Sequence, residues 1–335
     1  MNNNEQNNNF PDGQPIDLAL GRLLFKIAQA YYEHGLTQKQ IGERYGLSRM
    51  KVSRLLKQAR ELQIVQITLY PMEPLHADLE QQLEERFDLD EAIVVTPDDD
   101  KPESIPRALG YPAAEVLLRS LHEKSSMMIT WGSTLAAVVD SLPVESWPEV
   151  QVVQGLGGLS GPGSPTNAVD LTRRIANRLR AKPLLLASPG YVGRKEVRDA
   201  LMQVPAVVEV LEAAAASDIA LVGIGAPTED GVVFREQILD EVDLERLTAK
   251  GMVGDIALCF FDKDGRPVAD EVSDRLVGLT LDQIRTIPRV IGVAGGDGKV
   301  NAIRGALLGK LVNVLVTDDI TASMLLESVE QSKEM

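Results

Sequence analysis

The chain is short of the groups that carry redox, metal and imidazole chemistry. It has 335 residues and one cysteine, Cys259, so no disulfide can close within it and a cysteine-based zinc site is not expected. Cys259 sits in the apolar run Ile256–Phe261 and reads as a packing residue. There are three histidines, His34, His76 and His122, and none lies between residues 127 and 335. A histidine general base or metal cluster is therefore missing from that stretch. His34 precedes Gly35 and suits a surface or helix-capping place. Aromatics make up 4%, and Trp131 and Trp147 read as packing residues. No run approaches the ~20 apolar residues that cross a bilayer, so no membrane partner is expected. The first residues lack a basic segment and an apolar segment, so no secretory leader is expected, and the single cysteine fits a cytoplasmic setting. Positive charge is scarce too: 34 Lys and Arg stand against 49 Asp and Glu, a net −15. Taken whole, that disfavours a polyanionic partner.

What is present is ample core material, with 44% hydrophobic and 25% charged residues, and enough length for about two domains. Residues 1–15 are Asn-rich and contain Pro11, Gly13 and Pro15, which reads as a disordered tail. Residues 16–70 form a first domain, helical up to residue 64 and closed by an alternating strand at Val65–Tyr70 before Pro71 and Pro74. Residues 71–335 form a second, larger one. Charge divides with this boundary. Residues 22–60 hold nine basic and two acidic side chains, a local +7 against −22 for the remainder. A basic module on an acidic body confines nucleic-acid contact to one end.

Inside that module, Thr37-Gln-Lys-Gln40 fits a capping box for a helix over about 38–45. Gly46 follows, able to take the left-handed conformation that ends a helix. Ser48 then suits the N-cap of a second helix from Arg49 to about Leu62. Two helices joined by a short glycine turn make a helix-turn-helix. Val52, Leu55, Leu56 and Ala59 share one apolar stripe, while Arg49, Met50, Ser53 and Arg54 lie off it on the first turns, where a recognition helix meets base edges. Lys39, Lys51, Lys57 and Arg60 suit phosphates, which position without specifying. Thr37, Gln38 and Ser48, at the two helix starts, complete the candidate DNA contacts. The competing reading is a helical dimerisation arm with a charged exterior.

From residue 75 onward, short β-branched runs alternate with helical stretches. The strand candidates are Ala92–Thr96, Met127–Thr130, Val150–Gln154, Leu184–Ala187, Asp218–Val222, Asp255–Phe261, Arg289–Val293 and Asn313–Thr317. This order predicts an α/β domain, a doubly wound, mostly parallel sheet with helices on both faces and ligands beyond the C-terminal strand ends. Four glycine-rich turns follow strand candidates: Gly132-Ser133-Thr134, Gly155–Gly163, Gly223-Ile-Gly225 and Gly292–Lys299. Neither a dinucleotide fingerprint nor a P-loop fits them. Ser160 and Thr228 stand where the fingerprint's third glycine belongs; Val293 and Val300 stand where a P-loop needs Gly and Ser/Thr. What remains is turn amides and Lys299 for an anion, with Asp255 and Asp318 to accept hydroxyl hydrogen bonds: the complement of a sugar phosphate. Lys299 fits an exposed surface lysine equally well, and Asp318 fits a helix cap equally well. A sugar-phosphate isomerase or deaminase carrying a DNA-binding appendage is the enzyme alternative, and the missing histidines weigh against it.

The segment Gly35-Leu-Thr-Gln-Lys-Gln-Ile-Gly-Glu-Arg-Tyr-Gly-Leu-Ser-Arg-Met-Lys-Val-Ser-Arg-Leu-Leu56 resembles the DNA-binding region of the SorC family of bacterial transcriptional regulators. Further matches are Trp131-Gly-Ser-Thr134, Leu156-Gly-Gly158, Val222-Gly-Ile-Gly-Ala226, Gly254-Asp-Ile256 with Phe260-Phe-Asp262, Gly292-Val-Ala-Gly-Gly-Asp-Gly-Lys299 and Leu315-Val-Thr-Asp318. The resemblance covers about residues 20–330. It implies a sugar-binding domain folded like sugar-phosphate isomerases and deaminases but without their activity or a cofactor. It further implies a phosphorylated sugar effector, and a homotetramer on double-stranded operator DNA. By family position Gly132, Ser133, Thr134, Gly157, Gly158, Asp255 and Lys299 line the pocket. Gly225, in the third glycine turn, and Asp318 join them as effector-site candidates. Met50 occupies a position that varies in the family, so no operator sequence carries over.

Overall fold

The structure is a computed structural model, which describes residues 18–65, 76–99, 101–158, 167–227 and 239–327. The chain divides into two compact units, Met1–Met72 and Glu73–Met335. The Asn-rich tail and residues 66–70 of the first domain's strand lie outside the described residues.

The smaller unit holds α1 (Leu18–Tyr32), α2 (Gln38–Tyr45) and α3 (Arg49–Glu61). The capping box forms: Thr37 Oγ1 accepts from Gln40 N at 3.3 Å, and Thr37 N donates to Gln40 Oε1 at 2.9 Å. Gly46 closes α2 at φ 67°, and Ser48 Oγ accepts from Lys51 N at 3.2 Å to start α3. The predicted stripe Val52, Leu55, Leu56 and Ala59 is buried against Leu24, Ile27 and Ile41. Helix α2 thus meets α3 through a tight turn over one shared apolar core.

The larger unit is built on a seven-stranded sheet with the order β1-β9-β8-β5-β2-β3-β4, and every pairing in it is parallel. Its strands are β1 (Glu91–Val95), β2 (Ser126–Ile129), β3 (Gln151–Gln154), β4 (Lys182–Leu184), β5 (Ile219–Gly223), β8 (Arg289–Val293) and β9 (Val314–Asp318). A separate antiparallel hairpin joins β6 (Met252–Ile256) to β7 (Cys259–Asp262). Alternate residues of each strand point to opposite faces. Met128, Val153, Ala220, Val222 and Leu315 enter one core with α4 (Ala77–Phe87), α9 (Pro205–Ala215), α11 (Leu281–Arg285), α12 (Val300–Leu308) and α13 (Asp319–Glu327). Met127, Ile129, Val152, Ile219, Leu221 and Val316 enter the other, with α5 (Ser104–Ser120), α6 (Ser133–Ser141) and α7 (Ala168–Leu179). Apolar burial on both faces is why these strands read as continuous hydrophobic runs. The remaining helices of the described residues are α8 (Lys195–Leu201) and α10 (Glu241–Ala249).

Two strand expectations need correcting. Asp255–Phe261 is not one strand: the chain reverses at Ala257 and Leu258, both left-handed at φ 53° and 64°, so Asp255 lies in one arm of a hairpin, one residue from its end, and Phe261 lies in the other. No glycine marks that turn; the amide of Leu258 donates to Asp255 Oδ2 at 3.0 Å, and packing of Phe260 and Phe261 holds the reversal. Leu184–Ala187 is also displaced. The strand there spans Lys182–Leu184 at the sheet edge, where Pro183 is tolerated, and the Leu186 amide donates instead to the buried Gln154 side chain at 3.1 Å.

Sheet order decides where a ligand can sit. From β2 the chain moves outward to β3 and β4, then returns to the other side of β2 as β5 before moving outward to β8 and β9. The connections after β2 and β5 leave in opposite directions, opening a crevice beyond their C-terminal ends.

Candidate functional site

All nine effector candidates fall on the C-terminal edge of the sheet or in the hairpin bridged to it. Asp318 ends β9, Lys299 lies in the turn after β8, Gly225 follows β5, Gly132–Thr134 follow β2, and Gly157 and Gly158 follow β3. Asp255 arrives from the hairpin: its amide donates to Gly225 O at 3.1 Å and its carbonyl accepts from Gly225 N at 2.9 Å.

The glycine turns differ in what they can offer. In the second turn Gly157 N already donates to Val277 O at 2.9 Å, and Gly158 N to Ser188 O at 2.8 Å. Those amides are occupied, and Gly157 is glycine because a Cβ there would lie 2.5 Å from Pro189 O. The remainder of that turn, 159–163, lies outside the described residues. In the fourth turn Gly296 N donates to Asp318 Oδ2 at 2.8 Å. The first turn is the open one. Gly132 stands at the N-cap of α6 without a side-chain cap, and the amides of Ser133 and Thr134 have no partner among the described residues. Two donors and a helix dipole therefore face the crevice, with an exposed Ser133 hydroxyl beside them.

Asp255 and Lys299 form the charged part of the site. Burial pushes the Asp255 carboxyl up to about 6, while the Leu258 amide and the Lys299 charge pull the other way. Burial lowers the Lys299 amine, and Asp255 opposes that shift. Each feels the other's charge, yet among the described residues they form no ion pair. A lysine so placed gains by meeting an anion.

Asp318 faces inward. Its Oδ2 accepts from Gly296 N and from Thr321 Oγ1 at 2.7 Å, and its Oδ1 accepts from Thr321 N at 2.8 Å. It caps α13 and holds the loop that carries Lys299. Two polar groups were not singled out from the sequence. Thr130 Oγ1, just past β2, and Thr317 Oγ1, in β9, are buried without a hydrogen-bond partner. A threonine closing an apolar run at a strand's C-terminal end was the available signal.

In the smaller unit, Arg49, Met50, Lys51, Ser53, Arg54 and Lys57 of α3 are exposed, as are Thr37, Lys39 and Ser48; Gln38 is half-buried. Met50 is 75% exposed, so it is not a core residue displaced to the surface. Cys259 donates from Sγ to Leu279 O at 3.0 Å, and burial pushes its thiol up to about 12, which leaves it unreactive. Among the described residues, no group of three His, Cys, Asp or Glu side chains is placed to hold a metal, and no helix is long and apolar enough to cross a membrane.

Comparison with known proteins decides the family. Residues 75–327 match the sugar-binding domain family Sugar-bind, and residues 26–61 match Sigma-70, region 4. The chain is 34% identical over 309 residues to the sorbitol operon regulator of Klebsiella pneumoniae, covering 91% of this chain and 98% of that one. The chain belongs to the SorC family of transcriptional regulators. It is also 33% identical over 315 residues to the transcriptional regulator LsrR of Klebsiella pneumoniae subsp. pneumoniae, covering 93% and 94% of the two chains. The crystal structure of the full-length sorbitol operon regulator SorC superposes with a TM-score of 0.71 at 33% identity, covering 92% of this chain and 99% of that one. These relatives are named as regulators rather than enzymes, and this SorC-family chain pairs a helix-turn-helix with a sugar-binding domain.

Proposed function

We propose that this SorC-family regulator is a cytoplasmic repressor of a carbohydrate catabolic operon, released from its operator by a phosphorylated sugar. Arg49, Met50, Ser53 and Arg54 read bases in the major groove of double-stranded DNA. Lys39, Lys51 and Lys57 hold phosphates, with Thr37, Gln38 and Ser48 at the backbone. The phosphoryl group docks on the free amides of Ser133 and Thr134 and on Lys299. Sugar hydroxyls meet Asp255 and the unpaired Thr130 hydroxyl, while Gly132, Gly157, Gly158 and Gly225 shape the wall. Asp318 acts through the loop it holds. The protein assembles as a homo-oligomer, a tetramer, matching pseudo-palindromic half-sites.

The observation that carries this reading is the pairing of an uncapped α6 N-terminus with a half-buried lysine that lacks an ion-pair partner among the described residues. A thermal-shift panel of phosphorylated and unphosphorylated sugars tests it, because a ligand bound only by the native state raises stability by mass action. A phosphosugar should raise the melting temperature and weaken operator binding. Lys299→Ala should keep operator binding and lose the ligand response. Equal stabilisation by the unphosphorylated sugar would refute the phosphate assignment.

A further inference from the structure

One set of contacts in the larger unit has no part in holding the ligand. Helix α4 opens at Ala77, shortly after the DNA-binding unit ends at Met72. His76, Glu80 and Glu84 recur every fourth residue along one face. That face meets β1, the edge strand among the described residues, whose outward amides have no described strand to pair with. Glu84 Oε1 accepts from Ala92 N at 2.9 Å, and Glu80 Oε1 accepts from Val94 N at 2.9 Å. His76 Nε2 lies 2.8 Å from Thr96 Oγ1. Two strand residues advance ~6.8 Å and four helix residues ~6 Å, so the three contacts stay in step.

The latch continues inward. Thr96 Oγ1 donates to Asp319 Oδ2 at 2.7 Å. Asp319 is the chain neighbour of Asp318, which holds Gly296 of the Lys299 loop. The two halves of α4 are fastened differently. Its C-terminal half buries Leu83 and Phe87, and Lys310 Nζ donates to Phe87 O at 2.7 Å and Asp88 Oδ2 at 2.8 Å. From His76 to Glu80 no residue is fully buried: Leu79 packs half-buried against the core, and polar contacts supply the rest of the attachment.

We propose that α4 is the transmission element of this regulator: a helix anchored at its C-terminal end, with its N-terminal half latched to β1 and the latch tied through Thr96 and Asp319 to the effector loop. The proposal rests on the reading that the Lys299 loop binds the effector. A ligand drawing on that loop loads Asp318, and the strain passes through Asp319 to Thr96 and His76. The start of α4, at the N-terminal end of the larger unit, shifts.

Amide hydrogen exchange on the full chain tests the latch without any ligand. Thr321→Val removes the hydroxyl that bonds Gly296 N and Asp318 Oδ2. Exchange at Ala92 and Val94 should then quicken roughly fivefold, the factor set by the net worth of one hydrogen bond. The amides of Met128 and Leu221, in the central strands, control for global unfolding. In a Thr96→Val background the same change should have no further effect on Ala92 and Val94. Unchanged exchange in Thr321→Val, or the same increase with and without Thr96→Val, overturns the proposal. A second arm adds inorganic phosphate. If it stabilises the wild type no more than Lys299→Ala, the effector reading fails, and the exchange cycle still decides the latch. If it stabilises the wild type, it should weaken operator binding there and leave Thr96→Val unresponsive. A wild-type-like response in Thr96→Val, or none in the wild type, sinks the role of α4.

Discussion

The carboxylate of Asp255 occupies the space where a side chain on residue 225 would begin. A Cβ built on Gly225 would lie 2.0 Å from Asp255 Oδ1, and the backbone bridge between the two residues prevents either from retreating. Gly295 and Asp318 repeat the arrangement, with 2.1 Å between a Cβ and Oδ2. At the pocket edge, these glycines are required less for freedom of rotation than for the carboxylate packed against them.

Gly225→Ala should therefore displace Asp255 and lower stability by roughly 1–3 kcal/mol, the usual cost of overpacking. Operator binding should survive while the ligand response falls. Urea denaturation and an operator titration check both. Wild-type stability in this variant would mean that the carboxylate has room to move.

The pH dependence of stability has a sign that follows from Asp255. Its folded value of about 6 lies above the ordinary carboxylate value near 4. Between the two, the native chain holds a proton that the unfolded chain has released, so stability falls as pH rises from about 4 to about 6. Each pH step of one across that interval removes at most about 1.4 kcal/mol. Asp255→Asn should flatten that stretch of the profile, which denaturation midpoints at pH 4, 5, 6 and 7 would show.

Asp270 acts with the opposite sign. Arg246 bonds it through Nε and a terminal nitrogen, each at 2.9 Å, with Lys250 Nζ at 2.7 Å and Val272 N at 3.0 Å. The Arg246 hydrogen bonds, first among these, hold its carboxyl well below the usual range. Its contribution is complete above about pH 4 and is lost as pH falls through the lowered value. Asp270→Asn should cost roughly 1–3 kcal/mol at pH 7 and much less near pH 2. Equal losses at both pH values would contradict the assignment.

On α3, Arg49→Ala and Arg54→Ala should each weaken operator binding by roughly 1–3 kcal/mol and relax base preference. Lys57→Ala should weaken all sequences alike and reduce the salt dependence. Binding-site selection at two salt concentrations distinguishes the two classes. Unchanged preference in both arginine variants would remove them from base reading.

Much of this was legible in residue order. The capping box at Thr37, the left-handed Gly46 and the Ser48 cap are local hydrogen-bond chemistry, so neighbouring residues suffice to specify them. Most sheet strands were legible because burial on both faces leaves a continuous apolar run. The β6–β7 reversal was not, since neither Ala257 nor Leu258 favours the left-handed region; the Asp255 carboxylate and the packing of Phe260 and Phe261 hold them there. The second glycine turn looked like a ready donor until its amides met Val277 and Ser188.

Sequence alone determined what is short-range: a basic helix pair with its caps and apolar stripe, an alternating βα order, and a family pattern of motifs. Tertiary structure decided what depends on strands brought together from far apart. It left the α6 amides open, turned Asp318 inward, buried Asp255 near Lys299, and laid His76, Glu80 and Glu84 along β1. The physical reason is that a backbone donor, or a charge, acquires its role from the partner that reaches it, and those partners lie on other elements, eight residues away for Glu84 and Ala92 and 22 for Gly296 and Asp318.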